Sequence, residues 1–154
     1  MRSPHDHVVT RFVGRSTTVR IATLSPAGNP DIIPLWFVTH RGRIYMSTGA
    51  ENPTVRDLKR NAEVVLLFHG ERRRGSGHVL RIRGRAAFRT ERNVVIPVAA
   101  LSALRYLLAP GAIWNVLVHR RTFGVNLRYK RERTGGGGVI EVIPRTAQFL
   151  KLPS

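Results

Sequence analysis

Two apolar runs stand almost back to back: Asp31 to Thr39 (DIIPLWFVT) and Arg43 to Thr48 (RIYMST), separated only by His40-Arg41-Gly42. Parallel strands need a crossover of a dozen or more residues, so a connection this short forces the two runs into an antiparallel hairpin. The run before them, Thr17 to Leu24 (TTVRIATL), is rich in β-branched residues and ends in the dense turn signal Ser25-Pro26-Ala27-Gly28-Asn29-Pro30. Pro34 interrupts the second run. Proline cannot donate to a ladder, which places it at a sheet edge or a bulge.

A short helix is expected next. Asn52 is a good N-cap and Pro53 suits the first helical position, where a missing N–H costs nothing. Val55 and Leu58 are spaced to face a core, while Arg56, Lys59 and Arg60 point elsewhere. Val64 to Phe68 reads as a fully apolar strand and Glu71 to Gly77 as a polar loop. His78 to Thr90 alternates as a half-buried strand, with Val79, Arg81 and Arg83 on the face opposite Leu80 and Ile82.

Helical periodicity then runs from Val94 to Leu108, with Val95, Val98, Leu101, Leu104 and Leu108 near one stripe, and Pro110-Gly111 ends it. A second short helix is expected over Ile113 to Phe123. Arg128 to Gly138 is a basic, glycine-ended loop, and Val139 to Ile143 and Ala147 to Leu150 read as two closing strands around Pro144-Arg145. Successive antiparallel strands without parallel crossovers predict a mainly β fold, a six-stranded antiparallel barrel with helical insertions. With 154 residues, no internal repeat and no linker, residues 1–154 are expected to form one domain.

Composition narrows the function. The chain has no cysteine, which excludes disulfides, thiolate metal sites and cysteine nucleophiles. His5 and His7 supply only two of the three or four ligands a metal site needs. No segment reaches the roughly 20 apolar residues of a membrane span. The polar stretch Met1 to Arg11 lacks the apolar core of a signal peptide, so a cytoplasmic protein with a frayed N-terminus is expected. Lys+Arg total 26 against 9 Asp+Glu, a net charge of +17, and only Lys59, Lys130 and Lys151 are lysines. Such a surface attracts polyanions, yet the aromatic content is 7% and no strand carries the paired aromatics of a single-strand reader, so no specific nucleic-acid partner is expected.

The stretch Ile44 to Phe68 carries the most chemistry. Hydroxyls at a strand end (Ser47, Thr48), N–H groups at a helix start and the cations Arg56 and Lys59 together suit a phosphate; the same residues also describe a capped surface helix with a solvated basic face. The order of motifs resembles the pyridoxamine 5′-phosphate oxidase-like FMN-binding split barrels: Ala22-Thr23-Leu24, Pro30, Pro34, Trp36-Phe37, then Gly42, Ile44-Tyr45, Ser47-Thr48-Gly49, and Val55-Arg56, Leu58, Arg60-Asn61. The likeness is good over Ile21 to Phe68, looser over Val79 to Phe88 and Ile140 to Leu152, and has no counterpart for residues 92–138.

The resemblance implies a split β-barrel and a homodimer with two cofactor clefts between the subunits. It implies that Pro34, Leu35 and Trp36 lie against the ring system of the cofactor, and that Ser47, Thr48, Arg56 and Lys59 hold its phosphate. Thr54 stands where many members carry a cation two residues before the matched Arg56. The family divides between FMN and the deazaflavin coenzyme F420, with some members binding haem or no redox cofactor. F420 is favoured here, because Arg72-Arg73-Arg74 and Lys130-Arg131-Glu132-Arg133 could meet its polyglutamate tail and Thr54 removes a charge from the phosphate end. The function implied is hydride transfer to a small unsaturated organic substrate, with no general acid–base residue visible; the alternative is a non-catalytic cofactor- or tetrapyrrole-binding protein.

Overall fold

The computed structural model describes residues 1–70, 78–107 and 137–151. Its elements are α1 (His7–Arg15), β1 (Thr18–Leu24), β2 (Pro30–Trp36), β3 (Val38–His40), β4 (Arg43–Gly49), α2 (Pro53–Arg60), β5 (Glu63–His69), β6 (His78–Arg89), α3 (Arg92–Leu107) and β7 (Gly137–Lys151). The expected loop at 71–77, the short helix over 113–123 and the two arginine-rich clusters lie outside the described residues.

All seven strands form one antiparallel sheet in the order β2-β1-β5-β6-β7-β4-β3. Its two outermost strands, β2 and β3, are consecutive in sequence and joined through Phe37 alone. One residue spans less than 4 Å, so the two edges must meet and the sheet must curl into a split barrel. Phe37 closes the seam. It is 1% exposed, and its ring meets that of Phe68 edge-on at 5.1 Å.

The mainly β split barrel expected from the sequence is therefore present, with seven strands and two differences at its boundaries. The run 31–39 divides at Phe37, because its two halves serve opposite edges. The two closing strands are instead one strand, β7, whose pairing with β6 slips by a residue between Arg83 and Gly84, opposite Pro144. A bulge absorbs the proline that would otherwise break the ladder. Gly84 is required there, since a Cβ would lie 2.5 Å from the Ile143 carbonyl oxygen. Pro34 sits on β2, an edge strand, as its missing donor demands.

The barrel interior is filled by alternate residues of the strands, among them Val19, Ile21, Ile44, Met46, Leu66, Leu80, Ile82, Ile140 and Val142. The N-terminus adds to it rather than fraying. Helix α1 places Val9 and Val13 in this core, Asp6 caps it by accepting from the Val8 N–H at 2.8 Å, and Arg2 bridges Ala147. In α2, Val55 and Leu58 are buried and Arg56, Lys59 and Arg60 exposed, the arrangement the spacing predicts. Asp57, also buried, accepts from the Thr23 hydroxyl at 3.0 Å and ties α2 to β1.

The β3–β4 turn is a two-residue turn, Arg41-Gly42, with φ of 49° and 74° and His40 paired to Arg43. Asn-Gly or Asp-Gly is the usual pair in this left-handed turn. Arginine there costs roughly 1–2 kcal/mol against a glycine, because its Cβ crowds the following carbonyl.

Candidate functional site

A second apolar layer lies outside the barrel. Along β4, Ile44 and Met46 enter the interior, while Arg43, Tyr45 and Ser47 fall on the other face. Helix α3 covers that outer face: Val98 packs with Val38, Tyr45 and Val139, supported by Val94, Val95, Leu101 and Tyr106. The predicted stripe is right at Val95, Val98 and Leu101 but not at Leu104, which is 57% exposed. Tyr106 takes part in the covering instead. Leu108 lies outside the described residues.

The C-terminal half of α3 is fixed by polar contacts to the barrel seam. The Tyr106 hydroxyl accepts from the Phe37 N–H at 3.1 Å and lies 2.8 Å and 2.7 Å from the Phe37 and Thr17 carbonyls, to either of which it can donate. Arg105 donates to the Ser16 carbonyl and stacks its guanidinium 4.4 Å from the Phe37 ring centroid. Strand continuity breaks at Phe37, and backbone groups freed by a break must find other partners. Tyr106 supplies them.

Between this half of α3 and the sheet lies a cavity of about 500 Å³, lined by Thr18, Pro34, Leu35, Trp36, Ser47, Ser102 and Tyr106. The Trp36 and Tyr106 rings stack with centroids 4.9 Å apart and planes 17° apart. Of the eight residues singled out from the sequence, Pro34, Leu35, Trp36 and Ser47 meet here. The other four do not line it. The Thr48 hydroxyl accepts from the Asn52 side-chain amide at 2.9 Å, Thr54 is buried, and Arg56 and Lys59 are exposed on α2.

One expectation about the phosphate end fails. The start of α2 has no free N–H groups to offer. Pro53 has none, the Asn52 side chain accepts from the Thr54 N–H at 3.0 Å, and the Asn52 carbonyl accepts from Val55 and Arg56. Any anion held at α2 must use side chains. Conversely, Ser102 and Tyr106 lie outside the apolar stripe that the periodicity of 94–108 predicts. The available signal was a hydroxyl pair at i and i+4, one helical face, inside a mainly apolar helix.

The geometry defines a split barrel with a cleft between a β edge, β4 and a covering helix. A family model described as pyridoxamine 5′-phosphate oxidase matches residues 6–107. The chain belongs to that family. Solved structures agree on the fold. A conserved hypothetical protein from Mycobacterium tuberculosis superposes with a TM-score of 0.70 at 18% identity, covering 97% of this chain and 89% of that one. HutZ, the heme storage protein of Vibrio cholerae, gives 0.64 at 14% identity over 98% and 95%. An F420 reductase gives 0.57 at 16% identity over 90% and 94%. No curated protein matches the chain by sequence.

Among the described residues, no helix is long and apolar enough to cross a membrane, and no three His, Cys, Asp or Glu side chains gather as a metal site would need.

Proposed function

We propose that the chain is an oxidoreductase that holds a flavin-type cofactor, F420 in preference to FMN, in the cleft between Trp36, Ser47 and α3. The observation that carries this reading is the convergence of Pro34, Leu35, Trp36 and Ser47 with Tyr106 around one cavity. Its volume lies within the roughly 300–1,000 Å³ usual for small-molecule sites. Its walls fit a flat ring: Pro34 and Leu35 offer apolar surface, Trp36 and Tyr106 offer aromatic faces, and the Ser47 and Ser102 hydroxyls can bond to ring heteroatoms. Bound there, the cofactor would supply hydride transfer to a small unsaturated substrate.

The protein's part is orientation and exclusion of water. Ser47 projects from β4, where its backbone pairs with Val139 of β7, so its hydroxyl is carried on a regular ladder. Tyr106 cannot swing freely, because its hydroxyl is engaged at the seam. Arg56 and Lys59 are exposed on α2 and would meet the phosphate group, with Thr48 bonded to that helix's cap, Asn52, and Thr54 in its first turn. With no helix-start N–H available, these side chains carry the anion. That favours a monoanionic phosphodiester over a dianionic phosphate, and hence F420.

Two structural neighbours are haem proteins, HutZ and a heme binding protein from Mycobacterium smegmatis. Among the described lining residues there is no histidine, and the Tyr106 hydroxyl is already engaged, so the cavity favours a flat organic ring over an iron porphyrin. A homodimer completes the reading. Ile32, Pro34 and Trp36 share one face of edge strand β2, with Ile32 52% and Trp36 63% exposed, and a second copy would cover them.

Titration of the purified protein with F420 and with FMN, followed by absorbance and fluorescence, tests the assignment. F420 is expected to bind more tightly; if FMN binds better, the deazaflavin assignment is wrong, and if neither binds, the enzymatic reading goes with it. Arg56→Ala is expected to weaken binding about 10- to 100-fold, the worth of one charge-assisted hydrogen bond, with stability changed by less than about 0.5 kcal/mol. Equal titration curves for the variant and the parent would return Arg56 to a plain solvated surface. Sedimentation at micromolar concentration should show a dimer.

A further inference from the structure

Helix α3 covers a second hollow at its N-terminal half. It measures about 330 Å³ and has two unlike walls. The sheet side is polar: His40, Arg41, Arg43, Tyr45 and Glu141. The helix side is mainly apolar: Val94, Pro97 and Val98. It is a separate site from the proposed cofactor cleft. Arg43, Tyr45 and Ser47 are successive outward residues of β4, so Ser47 lies roughly 13 Å along the strand from Arg43 at about 3.3 Å per residue.

The charges in this hollow are not balanced. Glu141 is 5% exposed, and a buried carboxylate must be paired. It is paired twice, with Arg43 at 3.1 Å and Arg89 at 3.7 Å, and the Tyr45 hydroxyl donates to it as well. Burial and that bond to Glu141 push the Tyr45 phenol above its ordinary range, so it stays a neutral donor. Both ion pairs fall on Glu141 Oε1. Arg41 lines the same hollow and makes no ion pair among the described residues. It also occupies a left-handed position, φ 49°, that asparagine or glycine would fill with less strain. The hollow adjoins the first turns of α3, where the helix dipole favours negative charge.

We propose that this hollow is a binding site for a small organic carboxylate, its anion gripped by Arg41 and its apolar body set against Val94, Pro97 and Val98. A planar guanidinium matches a carboxylate with two parallel N–H bonds. Glu141 engages Arg43 and Tyr45 and makes no ion pair with Arg41 among the described residues. The proposal does not rest on the flavin reading, and it is tested without any cofactor.

Benzoate is the probe, titrated into the full chain and followed by amide chemical shifts, with inorganic phosphate in a parallel series. Saturable shifts at residues 40–45 and 93–98 are expected in the millimolar range, with phosphate binding more weakly because it has no apolar body. Arg41→Asn should weaken benzoate roughly tenfold or more, the loss expected for a charge-assisted contact. It should not lower the thermal midpoint, because asparagine suits the turn better than arginine does. Arg41→Gly is the second variant and should behave alike if the first folds poorly. The proposal is overturned by non-saturable shifts, by benzoate binding that both variants leave unchanged, or by phosphate binding as tightly as benzoate. Shifts confined to His5 and Thr10, which line the hollow on the other side of the hairpin, would overturn it too.

Discussion

The barrel interior and the layer beneath α3 are both apolar, yet they are held in different ways. The interior draws buried side chains from α1, α2 and the strands, and every strand brings its own ladder. Among the described residues the outer layer buries Val38, Tyr45, Val98 and Val139, and α3 has no ladder to the sheet. What fixes α3 is polar: the Tyr106 hydroxyl and the Arg105 guanidinium, both anchored where the sheet is split. The interior therefore makes the fold, and the outer layer borders the two cavities beneath α3.

The largest effect should come from the seam itself. Phe37 belongs to the interior, and Phe37→Ala is expected to cost about 3–5 kcal/mol, enough to leave much of the protein unfolded. Urea denaturation measures it. A small loss would mean that the two sheet edges are held together by something other than this ring.

Tyr106→Phe probes the outer layer with a smaller change. The stack on Trp36 stays, but the buried Phe37 N–H loses its acceptor, at about 1–3 kcal/mol. Cofactor affinity should fall with it, because α3 would no longer be pinned beside the cleft. If this variant costs as much as Phe37→Ala, the outer layer is part of the folding core and the contrast between the two regions is lost.

The same contrast explains what could be read in advance. The apolar strand Val64–Phe68, the alternating strand at 78–90 and the capped helix at Asn52 announce themselves locally, because propensity and packing agree there. The seam does not. That 31–39 feeds both edges of the sheet follows from closure, a relation between residues far apart in sequence. The merged strand β7 hid behind Pro144, whose bulge depends on Gly84 across the ladder. At the site, β2 and β4 contributed legible residues, Pro34 to Trp36 and Ser47. Ser102 and Tyr106 were masked by apolar neighbours, and only the docked helix shows which of its faces meets the cleft. The taken N–H groups of α2 were equally hidden, since Asn52 read as a cap without revealing that its carbonyl would take the remaining donors.

The smallest effect concerns α1, which belongs to the interior through Val9 and Val13 but begins on the surface. Its cap, Asp6, accepts from the Val8 N–H, and that bond, aided by Arg2 at 3.3 Å, holds the Asp6 carboxyl below its usual range near 3.8. The folded-state pKa is depressed, so the charged cap stabilises the fold fully above the unfolded value. That contribution disappears as the pH falls through the folded value. A stability profile should therefore be flat with respect to this group above about pH 5 and should decline below pH 4. Asp6→Asn keeps a capping oxygen without the titration, so the difference between parent and variant should vanish in acid and reappear near neutrality. Added salt should leave the hydrogen-bonded part of the difference and screen the Arg2 part, because both side chains are exposed to water. If the two proteins instead diverge as the pH is lowered, Asp6 is not the titrating cap, and the helix that plugs the barrel owes its start to Val9 and Val13 alone.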